Sequence, residues 1–248
     1  MQASRVHNQA AFLLRRRPFT ESSVLIDLFS RTYGRVVLIA KGARKVKSRW
    51  RGSLLPFQPL VAAWSGRGDV KTVTAIETET PAHPLEGKAL YCGYYLNELI
   101  LKMLPRFDPY EGLFDNYDEV LAKMAQDTDL EWNLRIFEKQ LLQYLGYGMH
   151  LENDVDHGKR IDPDCRYCYL PGTGPVQLDN SGDGVWVHGS TLLALDTGKV
   201  RAHRERKEAK VLLRTLVDYH LGGQLLRTRA VYARLFSSNS AVNSVAAD

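Results

Sequence analysis

Five largely apolar runs separated by turn residues fill the first eighty positions, and they restrict the fold more than any other feature of the chain. They are "AAFLLRRR" (10–17), "SSVLIDLFS" (22–30), "GRVVLIAKG" (34–42), "FQPLVAAWS" (57–65) and "DVKTVTAIETE" (69–79). In the last run Val70, Thr72, Thr74 and Ile76 alternate with Lys71, Val73, Ala75 and Glu77, the two-residue period of a strand. "RTYG" (31–34) and "SGRG" (65–68) read as tight turns. Five strands of this length suit a small barrel, of which the OB-fold is the five-stranded case. An SH3-like barrel is the alternative that strand count leaves open.

The period then changes. "TPAHPLEG" (80–87) carries two prolines and ends the β section. Helical spacing follows at 88–104, 109–125 and 130–148, and returns at 189–198, 201–223 and 228–237. Between them, 150–187 is rich in Gly, Pro, Asp and Asn and predicts irregular structure with one or two short strands. The expected fold class is therefore α+β. An OB-fold barrel (1–80) precedes a mostly helical domain (81–238) with an irregular, Cys-containing insertion at about 150–188; a disordered tail (239–248) ends the chain.

Charge is distributed unevenly. Residues 1–80 hold 14 Lys+Arg and 5 Asp+Glu, a net of +9; the remainder holds 19 and 23, a net of −4. From Leu28 to Gly68 there are nine basic residues and no acidic one. A field of one sign confined to one region implies a polyanionic partner. Its densest part is "KGARKVKSRWRG" (41–52). Phosphate contacts are expected from Arg35, Lys41, Arg44, Lys45, Lys47, Arg49, Arg51 and Lys71, with Arg67 at the edge. Trp50 stands among these cations and is the candidate for stacking on a base, whereas Phe57 and Trp64 sit at strand positions that suit core. Val46 is read as a loop anchor. A second basic run, "RAHRERKEAK" (201–210), contains Glu205 and Glu208 and reads as a self-paired helix face.

Signatures of common chemistry are missing. The sequence has no P-loop, HExxH, GxSxG or EF-hand loop. Cys165 and Cys168 form one CxxC without a second pair, half of a zinc site, so no metal is expected. Three cysteines do not suggest a disulfide framework, and no apolar run approaches the roughly 20 residues of a membrane span. The expected location is cytoplasmic. Two rival readings are an RNA-binding OB module of the translation apparatus and a metal-dependent nucleic-acid enzyme using Asp27 and Asp69.

"FLLRRRPFTESSVLIDLFSRTYGRVVLIAKGARKVKSRWRGSLLPFQPL", followed by "GRGDVKT", "YLNELI" and "LRIFEKQLLQYLGYG", closely resembles the bacterial recombination mediator family RecO. The likeness runs from about Ala10 to Gly148 and resumes weakly with "HLGGQLLRTRAVYARLF". It implies an OB-fold followed by helices and no enzymatic cofactor. It further implies binding of single- and double-stranded DNA, and annealing of complementary strands even when coated by single-stranded DNA-binding protein (SSB). With RecR, such proteins help RecA load. The likeness also implies docking of the acidic SSB tail on the helical domain, carried over here to Arg135 beside the stripe Leu134, Phe137 and Leu141. Some members carry four zinc-binding cysteines; with one pair only, Cys165 and Cys168 read as a remnant.

Overall fold

The computed structural model describes residues 5–50, 52–78, 80–126, 129–177, 184–200 and 202–236. The expected tail lies outside them. The strands of the first part are β1 (Arg5–Pro18), β2 (Val24–Ser30), β3 (Gly34–Ala40), β4 (Pro59–Ser65) and β5 (Val70–Thr78). Helices α1 (Gly87–Met103), α2 (Glu111–Ala125) and α3 (Leu130–Tyr144) follow. Next come β6 (Arg166–Leu170), β7 (Gly174–Val176) and β8 (Val185–His188), then α4 (Gly189–Thr197), α5 (His203–His220) and α6 (Arg227–Phe236). They divide into two compact units, 1–126 with 226–248, and 127–225.

In the first unit the five strands close into a barrel in the order β1-β2-β3-β5-β4. This is the OB-fold arrangement: a meander of three strands, then a crossover that pairs β3 with β5 in parallel. That parallel contact is only Val37↔Val70, Leu38↔Lys71 and Ile39↔Thr72. β1 begins five residues earlier than its apolar run, because its polar first half pairs with β4 and its second half with β2. Leu13, Ile26, Leu28, Leu38, Trp64 and Val73 fill the interior. Trp64 is fully buried, as its strand position predicts.

Aromatic contacts join the barrel to its helices. Phe12 lies 5.3 Å from Phe114 and 5.1 Å from Tyr117, and Phe29 lies 5.4 Å from Phe114, measured between ring centres. The Tyr117 hydroxyl donates to Asn97 Oδ1 (2.5 Å), and Asn97 Nδ2 donates to the Leu14 carbonyl (3.1 Å), so this buried polar pair is satisfied across the seam. Arg31 reaches Glu111 (2.7 Å) and Asp115 (3.0 Å) on α2. The turn before β3 ends at Gly34, with φ of +63°; a Cβ there would fall 1.9 Å from the Asp108 carbonyl oxygen, so only glycine fits.

The second unit packs α3, α4 and α5 through Phe137, Leu141, Leu142, Leu192, Leu195 and Leu213, all without measurable exposure. The insertion is more regular than its composition predicts. It contains three short strands in the order β7-β6-β8, and Cys168 lies in β6 rather than in a loop. Tyr167 and Tyr169 anchor it. Their hydroxyls accept the backbone N–H groups of Asp162 (2.9 Å) and His150 (3.2 Å), giving the glycine- and proline-rich segments a fixed course that periodicity does not show.

Candidate nucleic-acid interface

Residues 41–50 leave β3 through consecutive turns, and 52–54 turn again: Lys45 N–H bonds to the Gly42 carbonyl (3.1 Å), Ser48 to Lys45 (3.1 Å) and Ser53 to Trp50 (3.2 Å). Within these turns Lys41, Arg44, Lys45, Lys47 and Arg49 all face solvent. Arg44 fastens the loop to the β1–β2 hairpin. Its backbone N–H donates to the Ser22 carbonyl (3.0 Å) and its Nη1 to the Thr20 carbonyl (2.8 Å). Arg67 is exposed in the β4–β5 turn. Among the described residues no carboxylate forms an ion pair with any of these six side chains. Arg51 lies outside the described residues.

Three expected contact residues turn inward. Trp50 is only 4% exposed and belongs to the barrel core; its Nε1 donates to the Lys41 carbonyl (2.9 Å), and the Arg49 guanidinium covers its ring at 4.1 Å. The expectation of a ring open for stacking is thereby corrected. A large apolar ring near a barrel end gains more from burial than from exposure, and the Arg49 side chain extends over it. Lys71 is buried too: its Nζ donates to the Gly68 carbonyl (2.9 Å) and lies 5.0 Å from the Phe107 ring. Arg35 donates from Nη1 to the Leu101 carbonyl, and burial lowers its pKa while Asp27 opposes that shift. Lys71 and Arg35 thus hold structure, because their strand positions aim Lys71 at the Gly68 turn and Arg35 at the last turn of α1. Val46 is the reverse case: read as an anchor, it is 85% exposed.

Two residues the sequence reading passed over belong to the site. Arg16 and Arg17, at the end of β1, line a groove of about 580 Å³ with Arg44 and Lys45. Pro18, Val24, Val46, Trp50, Leu54 and Leu55 form much of its remaining wall. The run of three arginines, 15–17, was the available signal. Arg15 differs from its neighbours: it is spent on the buried Asp27, at 3.0 Å.

The stripe on α3 is core. Phe137 and Leu141 have no exposure, Leu134 is 9% exposed and Arg135 8%. Arg135 Nη2 pairs with Glu138 (2.9 Å), and its Nη1 points to the Lys210 carbonyl (3.5 Å). An open slot with an arginine at its mouth is therefore not what these four residues form, since a core face and a pocket wall share one apolar spacing. In the second basic run, Arg206 pairs with Asp129 and Lys210 with Glu131 (2.6 Å), while Glu208 accepts from His188 and Thr191. That face is charge-compensated.

Among the described residues no group of three or more His, Cys, Asp or Glu side chains could hold a metal ion. Desolvation, followed by the Asp162 carboxylate, pushes the Cys165 thiol pKa up. No described helix is long and apolar enough to cross a membrane.

Fold and site together define an OB-barrel protein whose exposed loop cations have no paired carboxylate among the described residues, followed by helices. Comparison with known families specifies it further. The model described as "Recombination protein O N terminal" matches residues 1–82, and "Recombination protein O C terminal" matches 84–229. The chain belongs to the recombination protein O (RecO) family. It is 45% identical over 237 residues to the DNA repair protein RecO of Dechloromonas aromatica, covering 94% of this chain and 97% of that one. Similar proteins of that name occur in Azoarcus sp. (41% identity; 93% and 97% covered) and Coxiella burnetii (41%; 91% and 97%).

Proposed function

We propose that this chain is a non-enzymatic DNA repair and recombination mediator that binds single- and double-stranded DNA and anneals complementary strands, including strands coated by SSB. With RecR it promotes RecA loading. The nucleic-acid module is the barrel of residues 1–80, and the helical part, 81–238, carries partner contacts. Family membership supports the repair role. The observation that carries the DNA-binding reading is the exposed set Lys41, Arg44, Lys45, Lys47, Arg49 and Arg67, on one barrel, with no carboxylate paired to it among the described residues. Cations so placed release counterions from phosphates and lower the repulsion between two strands held close together, which favours pairing without any chemical step. Docking of the SSB tail rests on the family likeness, because Leu134, Arg135, Phe137 and Leu141 are interior.

The test is binding of a single strand across a salt series. With about five phosphate contacts the slope of log K against log[salt] is near −3.5. Replacing Arg44, Lys45, Lys47 and Arg49 with Ala should weaken binding to all sequences alike and flatten that slope. Unchanged affinity at low salt removes the loop from the mechanism. Annealing of SSB-coated oligonucleotides, with and without the last residues of the SSB tail, tests the partner role; loss on coated strands only is the expected result.

A further inference from the structure

We propose that the groove beside the basic loop is selective for unpaired nucleotides: its apolar wall receives a base while its cationic rim holds the flanking phosphates. This rests on the DNA-binding reading above and adds a strand class to it. The groove has a volume of about 580 Å³, within the roughly 300–1,000 Å³ range of small-ligand pockets. Arg16, Arg17, Arg44 and Lys45 supply positive charge at its edge, and Pro18, Val46, Leu54 and Leu55 supply apolar surface. Val46 is 85% exposed and Leu55 44% exposed. Apolar side chains so exposed contribute nothing to the barrel core. They make sense where a flat, weakly polar surface arrives from outside.

Duplex DNA brings no such surface. Its base faces are covered by stacking, and a protein meets only phosphates, sugars and base edges in the grooves. A single strand can turn a base out of the stack and lay its face against an apolar wall. Trp50 forms a fixed part of that wall, held by its bond to the Lys41 carbonyl and roofed by Arg49, so the exposed partners of a base are Val46 and Leu55. The cations act on both strand classes alike. Discrimination therefore lies in the apolar pair and affinity in the rim.

The experiment measures dissociation constants at fixed salt for three probes of equal length: an oligothymidine strand, an abasic strand with the same backbone, and a mixed-sequence duplex. The full chain is compared with a Val46→Ser/Leu55→Ser variant and an Arg44→Ala/Lys45→Ala variant. Because both apolar positions are exposed, Val46→Ser/Leu55→Ser should keep the thermal midpoint of the parent chain. It should bind oligothymidine about five- to tenfold more weakly, and the abasic strand and duplex within twofold. Equal loss on all three probes, or no loss on oligothymidine, overturns the inference. Arg44→Ala/Lys45→Ala should weaken all three. If it weakens none, the DNA-binding reading of the loop falls, and the inference with it; if only the serine variant shows no effect, that reading stands and the inference alone is overturned.

Discussion

The Arg49 guanidinium lies 4.1 Å from the centre of the Trp50 ring, so the most basic loop of this chain is built around a buried tryptophan. Core and binding surface are thus adjacent residues with opposite tasks. Trp50 fixes the loop, and the cations that precede it, Lys41, Arg44, Lys45, Lys47 and Arg49, are displayed while the ring is not.

Trp50 substitutions should therefore act first on stability. Trp50→Ala is expected to cost about 3–5 kcal/mol, the usual range for emptying a large aromatic site. Trp50→Phe keeps most of the packing and loses only the Nε1 bond to the Lys41 carbonyl, about 1 kcal/mol. Urea unfolding measures both. If the ring has no stacking role, Trp50→Phe binds single strands within twofold of the parent chain; a tenfold loss at unchanged stability would contradict the buried placement.

Arg16 and Arg17 should behave as phosphate contacts. Both line the groove, and neither takes part in an ion pair with a described carboxylate. Replacing both with Ala should reduce the steepness of the single-strand salt slope by about 1.4, at roughly 0.7 per contact, and leave the thermal midpoint unchanged. An unaltered slope would take the DNA path away from the end of β1.

Arg135→Ala should destabilise the second unit by about 3–5 kcal/mol, because it removes the charge that pairs with the buried Glu138 carboxylate. The double change Arg135→Met/Glu138→Leu, which removes both charges, should recover most of that loss. Denaturant titration distinguishes the cases. Similar stability for the two variants would mean that the pair is not electrostatically coupled.

Docking of α6 should weaken in acid. Burial raises the Glu98 pKa, but hydrogen bonds from the Thr228 N–H (2.9 Å), the Thr228 hydroxyl (2.7 Å) and the Arg227 N–H (3.0 Å) outweigh it, and the net shift is downward. A carboxyl with a depressed folded pKa contributes its stability fully above the unfolded value, about 4.3, and loses it as pH falls below that toward the folded value. Hydrogen-exchange protection of α6, corrected for intrinsic rates, should drop through that window in the parent chain. In Glu98→Gln it should be lower at neutral pH and nearly flat. An identical pH profile in the two proteins would sink the idea.

Much of this was legible in the chain itself. Strand alternation from Val70 to Ile76, the helical spacing of Leu113, Tyr117, Val120 and Leu121, and the acid-free stretch from Leu28 to Gly68 are local properties, carried by neighbours a few positions apart. They determined an α+β chain, a five-stranded start and a cationic front. Direction and burial were decided only by tertiary packing. Trp50 and Lys71 turned inward, the α3 face carrying Arg135 and Glu138 was buried, and Arg16 came to line one groove with Lys45, because each outcome depends on surfaces brought from distant positions. A cation's charge is written at its own position; whether it meets water, a carbonyl or a phosphate is set by what the fold packs beside it.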